Sequence, residues 1–348
     1  MLTSLTAPAF AGTWDIEKGD ITVKAGDEGT NNVKQGDNDF VKDEGDTIIT
    51  GESKENTVTI DTSEGNVDVT FDDLKIDASS GNEAAVSVTG KGDTNIELDG
   101  DNELKGAYNR AGLEHNQTVD GEGNVTSGKL TIQDENNDGS LNATGKGFAA
   151  GIGGGSVKAG QVTITGGTIT ATGEDGAGIG GGQGNKGTNA GNADIEISGG
   201  TIEATGGYAS AGIGGGNWGD ANIKITGDAV IKSAVGGGGG AGIGGGQWGN
   251  GTVTISGDSK IESALGGGMS AGIGGGAVGN GTVSISGNAT IENAQGGEDG
   301  AGIGGGYGYG QSGTGDITIE GNTTVNATGG MGSAGIGNGM DGICKRYV

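Results

Sequence analysis

A four-residue element, Ala-Gly-Ile-Gly, returns along this chain with its isoleucine at Ile152, Ile179, Ile213, Ile243, Ile273, Ile303 and Ile336, at gaps of 27, 34, 30, 30, 30 and 33 residues. A period near thirty residues is the mark of a stacked architecture, in which one unit cannot bury its apolar side alone and must lie against its neighbours. Each period holds three short strand-like runs separated by Gly, Asn and Asp: for example AGI (241–243), TVTI (252–255) and KIES (260–263). In the second run apolar and polar residues alternate. Ile195/Ile197, Ile223/Ile225, Val253/Ile255, Val283/Ile285 and Ile317/Ile319 are expected to face inward, and Glu196, Lys224, Thr254, Ser284 and Thr318 outward. The third run offers one inward aliphatic per period, at Ile169, Ile202, Ile231, Ile261, Ile291 and Val325. Three strands per period with no helical spacing predict an all-β, three-faced parallel β-helix, a solenoid.

Composition agrees with a thin, long core: 87 of 348 residues are glycine and 3% are aromatic. Glycine without a strict triplet, with Pro8 the one proline, excludes collagen. The same grammar reaches upstream with less regular spelling, since "AAVSV" (84–88), "AGLEHN" (111–116) and "AAGIGGG" (149–155) occupy equivalent places. The expected divisions are residues 1–11 as the remnant of an export signal, 12–46 as an N-terminal cap with the first strands, and 47–148 as irregular acidic coils. Residues 149–339 would then be regular glycine-rich coils and 340–348 a ragged C-terminus. The export expectation rests on an apolar start ending in the small-x-small pattern Ala9-Phe10-Ala11.

Charge removes several function classes. A net charge of −27 argues against nucleic acid and anionic membranes as partners, and no run approaches the ~20 apolar residues of a membrane span. Of the 45 acidic side chains, 30 lie in residues 1–150, which makes that half the place to seek a divalent cation. There "DENNDG" sets Asp134, Asn136 and Asp138 at alternate positions before Gly139, the front half of a calcium loop, although its twelfth position is Gly145 and a plain acidic turn explains it equally.

"GIGGG" is not followed by a helix, so it does not read as a nucleotide loop. Cys344 is the only cysteine, which leaves no disulfide framework. Outward pairs such as Thr163/Thr165 suggest an ice-binding ladder, but Glu196 and Lys224 interrupt it.

Trp218 and Trp248 fall thirty residues apart at one point of the repeat, followed by Val278 and then by Tyr307 and Tyr309. Equivalent positions one coil apart would stack at about the strand spacing, forming an aromatic strip suited to sugar rings or simply a shield over a glycine corner. For catalysis the supply is thin. His115 is the single histidine, and Arg110, near Asp99, Asp101 and Glu103 in sequence, could act as a lyase base beside calcium or be a turn residue.

The run "VDVTFDDLKIDASSGNEAAVSVTGKGDTNIELDGDNELKG", then "RAGLEHN", "GKLTIQDENNDGSLNATG" and the "AGIGGG" units, covering most of residues 47–339, resembles the carbohydrate-binding-domain family secreted by anaerobic and gut bacteria. That resemblance implies a right-handed parallel β-helix of pectate-lyase type that binds calcium and plant polysaccharides such as cellulose and pectin. The long glycine array resembles the repetitive surface-protein versions of the family, which favours a non-catalytic binding or adhesin role over an enzyme. The expected protein is therefore secreted or held at a bacterial cell surface, as a monomer or as part of a larger surface protein. A sugar-free adhesin spacer and a calcium-dependent lyase are the alternatives.

Overall fold

The computed structural model describes residues 12–189 and 191–340, together with the backbone of a short strand at 345–346. The expectations for residues 1–11, for Cys344 and for most of the C-terminal tail lie outside the described residues. The rest is a parallel β-helix. Three ladders of parallel strands run along it, two of them merged into one 21-stranded sheet and the third forming a 13-stranded sheet.

The merging has a simple origin. Strands 47–53 and 67–77 each run through a corner, so their first halves join one ladder and their second halves the next. In the regular coils the same two faces are separate five- or six-residue strands, for example 221–225 and 230–235. The third face shrinks to the dipeptide Ile-Gly, as at 213–214 and 243–244.

Register confirms that the irregular half obeys the same plan. Val58 pairs with Val86, Val86 with Leu113, Leu113 with Ile152, and Ile152 with Ile179, so the upstream motifs occupy the place of the repeat isoleucine. The expected inward aliphatics of the second and third runs are buried through Ile285 and Ile291. Each third-run strand buries a second residue that the one-aliphatic reading passed over: Ala171, Ala204, Ala234, Ala264 and Ala294 form an alanine row beside the isoleucine row.

Two expectations need correction. Ile319 is 39% exposed and Val325 is only half-buried, because they belong to the last regular coil and have no full coil beyond to cover them. Thr163, expected to point to solvent, is 6% exposed; its strand neighbours are Thr131 and Glu196, and Glu196 is ion-paired across it to Lys129 at 3.5 Å.

At the opposite end the stack is finished differently. Strand 21–25 pairs in parallel with 58–62 and antiparallel with 31–35, which in turn pairs antiparallel with 41–43. Trp14 lies beside this end, its indole Nε1 donating to Asp43 Oδ2 at 2.8 Å.

One corner carries a side-chain ladder of its own. The backbone N–H of Asp220 donates to Asn192 Oδ1 (3.0 Å), that of Asn280 to Asn250 Oδ1 (2.9 Å), and that of Thr314 to Asn280 Oδ1 (2.8 Å). Each carboxamide thus satisfies an N–H of the next coil where the strand ladder has not yet begun.

Candidate functional site

The three corners of the helix are not equally variable. Between the Ile-Gly strand and the next first-face strand lie six residues at 154–159, 215–220, 245–250 and 275–280. The same corner has ten at 305–314, twelve at 181–192 and fourteen at 116–129. In repeat proteins, insertions confined to one edge commonly mark the binding face. The departures of 34 and 33 residues from the thirty-residue gap arise at this corner.

The fourth residue of the six-residue corner adopts a left-handed backbone, yet it is never glycine. Val157 (φ 59°), Trp218 (φ 62°), Trp248 (φ 67°) and Val278 (φ 70°) all sit there, and Tyr309 (φ 53°) does so in the ten-residue version. For bulky or β-branched residues this conformation costs about 1–2 kcal/mol each, where Gly or Asn would be nearly free. Strain kept in coil after coil points to the side chains as the reason for it.

Those side chains form a column. The Trp218 and Trp248 rings are 5.0 Å apart and 6° from parallel, and Tyr309 stacks on Trp248 at 4.9 Å and 14°. Tyr309 reaches back past the coil of Val278, and Gln247 Nε2 donates to its hydroxyl at 3.1 Å. Lys186, from the preceding long corner, places Nζ 5.8 Å from the centre of the Trp218 ring.

Trp248 is therefore covered on both faces, whereas Tyr309 stacks through one face and is 65% exposed. Tyr307, also proposed for the strip, is half-buried in a short hairpin of 307–308 with 311–312 and is not part of the stack. Offset aromatic stacking adds roughly 0.5–1.5 kcal/mol per pair, which offsets part of the backbone strain.

The acidic turn is organised around itself. Asp134 Oδ1 accepts from the backbone N–H of Asp138 (3.3 Å) and its Oδ2 from that of Gly139 (3.1 Å). Both oxygens thus close the turn, and among the described residues no group of three His, Cys, Asp or Glu side chains is arranged to hold a metal ion. Beside the turn runs an acidic groove of about 510 Å³ lined by Asp46, Asp68, Glu97 and Glu135, which sequence spacing alone did not bring together.

Arg110 is held elsewhere than its sequence neighbours suggested. Its guanidinium pairs with Glu114 at 3.0 Å and Glu83 at 3.3 Å, not with Asp99, Asp101 or Glu103. Glu114 is buried, and it also accepts from Asn116 Nδ2 at 3.0 Å. Next to it His115 is 2% exposed, with Nδ1 2.8 Å from the Gln161 carbonyl oxygen. Burial is the main cause holding its pKa below the usual histidine value, against opposing hydrogen bonds to the backbone of Gln161 and Gly128. This polar cluster occupies the place that Gly-Gly-Gly fills in the later coils.

Five segments, 137–156, 162–183, 195–217, 283–307 and 317–340, match the family model described as beta helix repeat. Together with the parallel ladders, these matches support a parallel β-helix family. No curated protein matches the chain, and no solved structure does. Among the described residues no helix is long and apolar enough to cross a membrane.

Proposed function

We propose that this chain is a non-catalytic, exported polysaccharide-binding β-helix of a bacterial surface or secreted protein, and that glycan meets it along the variable corner. The observation that carries the reading is the Trp218–Trp248–Tyr309 column, retained on a left-handed backbone at the one corner where the chain varies its length. Tyr309, backed by the two indoles, offers a ring face to the apolar side of a sugar, while the indole edges line its approach. The stack orders that ring before any ligand arrives, which lowers the entropy cost of binding. Neutral glucans such as cellulose meet no charge barrier, whereas a polyanion such as pectin must approach a protein of net charge −27. Calcium assistance, suggested by the acidic turn, enters as one arm of the test.

The test is co-sedimentation with insoluble cellulose and with calcium-pectate gel, in calcium and in excess chelator. It compares the natural chain with Tyr309→Ala and with Trp218→Gly/Trp248→Gly. Glycine suits the backbone at both tryptophan positions, so the double change removes the column without adding strain. Chelator-resistant binding that falls at least about tenfold in either variant is the expected result. Binding to neither polymer by the folded chain leaves the spacer role in its place, and binding undiminished in both variants removes the column as the site.

A further inference from the structure

The variable corner carries a second feature with different chemistry. Its longest version, residues 116–129, holds a β-hairpin that stands off the solenoid: the N–H of Thr126 donates to the Thr118 carbonyl (2.8 Å) and that of Asp120 to the Asn124 carbonyl (2.9 Å). Ser127 Oγ donates to Gln161 Oε1 at 3.2 Å, and His115 braces the same strand from below. Between the hairpin and the neighbouring coils lies a groove of about 570 Å³, within the range of ordinary ligand sites.

Its lining is unusual for this molecule. Among the described residues no carboxylate lines it, although the chain holds 45 acidic side chains against 18 basic ones. Two lysines do, Lys91 and Lys158, and neither has an acidic partner within 4 Å among the described residues, whereas Lys24, Lys105, Lys129, Lys232 and Lys260 all do. The remaining polar lining is mostly hydroxylic, with Ser63, Thr118 and Ser127 among it, beside Asn116 and the buried His115. No Phe, Tyr or Trp lines the groove, and its one imidazole, His115, is 2% exposed, so a nucleobase would find no open ring face to stack on. Hydroxyl groups and two uncompensated point charges suit a flexible, hydroxyl-rich ligand bearing negative groups of its own.

We propose that this groove binds an anionic oligosaccharide of about two or three sugar rings through Lys91 and Lys158, with no bridging cation. The site lies in a different part of the solenoid from the aromatic column and draws on different forces, so it goes beyond the reading above. Its negative groups could be carboxylates or sulfates, since an ammonium accepts both, and the test separates the two.

The measurement is titration calorimetry of the full chain in excess chelator and low salt. The probes are galacturonate oligomers, a sulfated oligosaccharide and a neutral cello-oligosaccharide. At least one anionic probe should bind, with affinity that falls as salt rises, and Lys91→Gln/Lys158→Gln should weaken it at least about tenfold, the loss expected for charged hydrogen bonds. Lys232→Gln, at a lysine already paired with Glu203, should leave it unchanged. Failure of both anionic probes to bind, or equal binding by the Lys91/Lys158 variant, overturns the proposal. Anionic binding that persists while cellulose co-sedimentation fails would overturn only the aromatic-column reading.

Discussion

At the scale of the residue, the glycines of this chain divide into those the fold requires and those it merely tolerates. Gly244 has φ +141°, and a Cβ there would lie 1.9 Å from the Gly274 carbonyl oxygen of the next coil. Gly238 has ordinary φ, and its Cβ would meet nothing nearer than the Tyr208 carbonyl oxygen at 3.2 Å. Gly244→Ala is therefore expected to cost about 2–4 kcal/mol, from backbone strain plus overpacking, and Gly238→Ala less than about 1 kcal/mol. Urea denaturation of the two variants checks the contrast. His115 supplies a second residue-level test. Its folded pKa lies below its unfolded value of about 6.5, so the unfolded chain binds the proton first; stability is complete above that value and is lost as pH falls through the lowered one. Between pH 7.5 and 5.5 the natural chain should lose more stability than His115→Gln, and parallel denaturation curves for the two proteins would refute this.

At the scale of the element, each aliphatic is worth what the coils on either side allow. Ile243 is fully buried between Ile213 and Ile273, while Ile336, the same residue of the same motif, is 41% exposed. Truncation to alanine should cost about 2–5 kcal/mol at Ile243 and under half of that at Ile336, read from denaturation midpoints. The elements were legible because alternation and the thirty-residue period are local properties, and the place of Leu113 could be read by matching "AGLEHN" to "AGIGGG". What was not legible depended on neighbours. The exposure of Ile319, the burial of Thr163 and the engagement of Arg110 by Glu83 and Glu114 are set by which coil lies alongside. The stacking of Trp218 on Trp248 followed from their spacing. The omission of Tyr307, and the return of Tyr309 across a whole coil, followed from the extra length of one corner. The unequal gaps were the available signal for that corner, and assigning them to one edge required the strand boundaries.

At the scale of the whole molecule, the register of the regular coils behaves like a reading frame. Strands of successive coils pair residue for residue across 213–214, 243–244, 273–274 and 303–304, with the first-face strands equally in step. Excision of residues 241–270 would join Gly240 to Ala271 and leave every remaining pairing with an equivalent partner. That shortened chain should keep its β-sheet circular dichroism and melt cooperatively, with Trp218 now beside Val278 and the tryptophan stack gone. Excision of 241–255, half a coil, should not fold through this region, because the isoleucines would be set against the wrong face. Length in this molecule is thus nearly quantised: it is lost or gained in whole coils, absorbed in bulk at the variable corner or trimmed a residue at a time elsewhere, as in the 27-residue coil from Ile152 to Ile179, and a half-coil change is a frameshift in three dimensions.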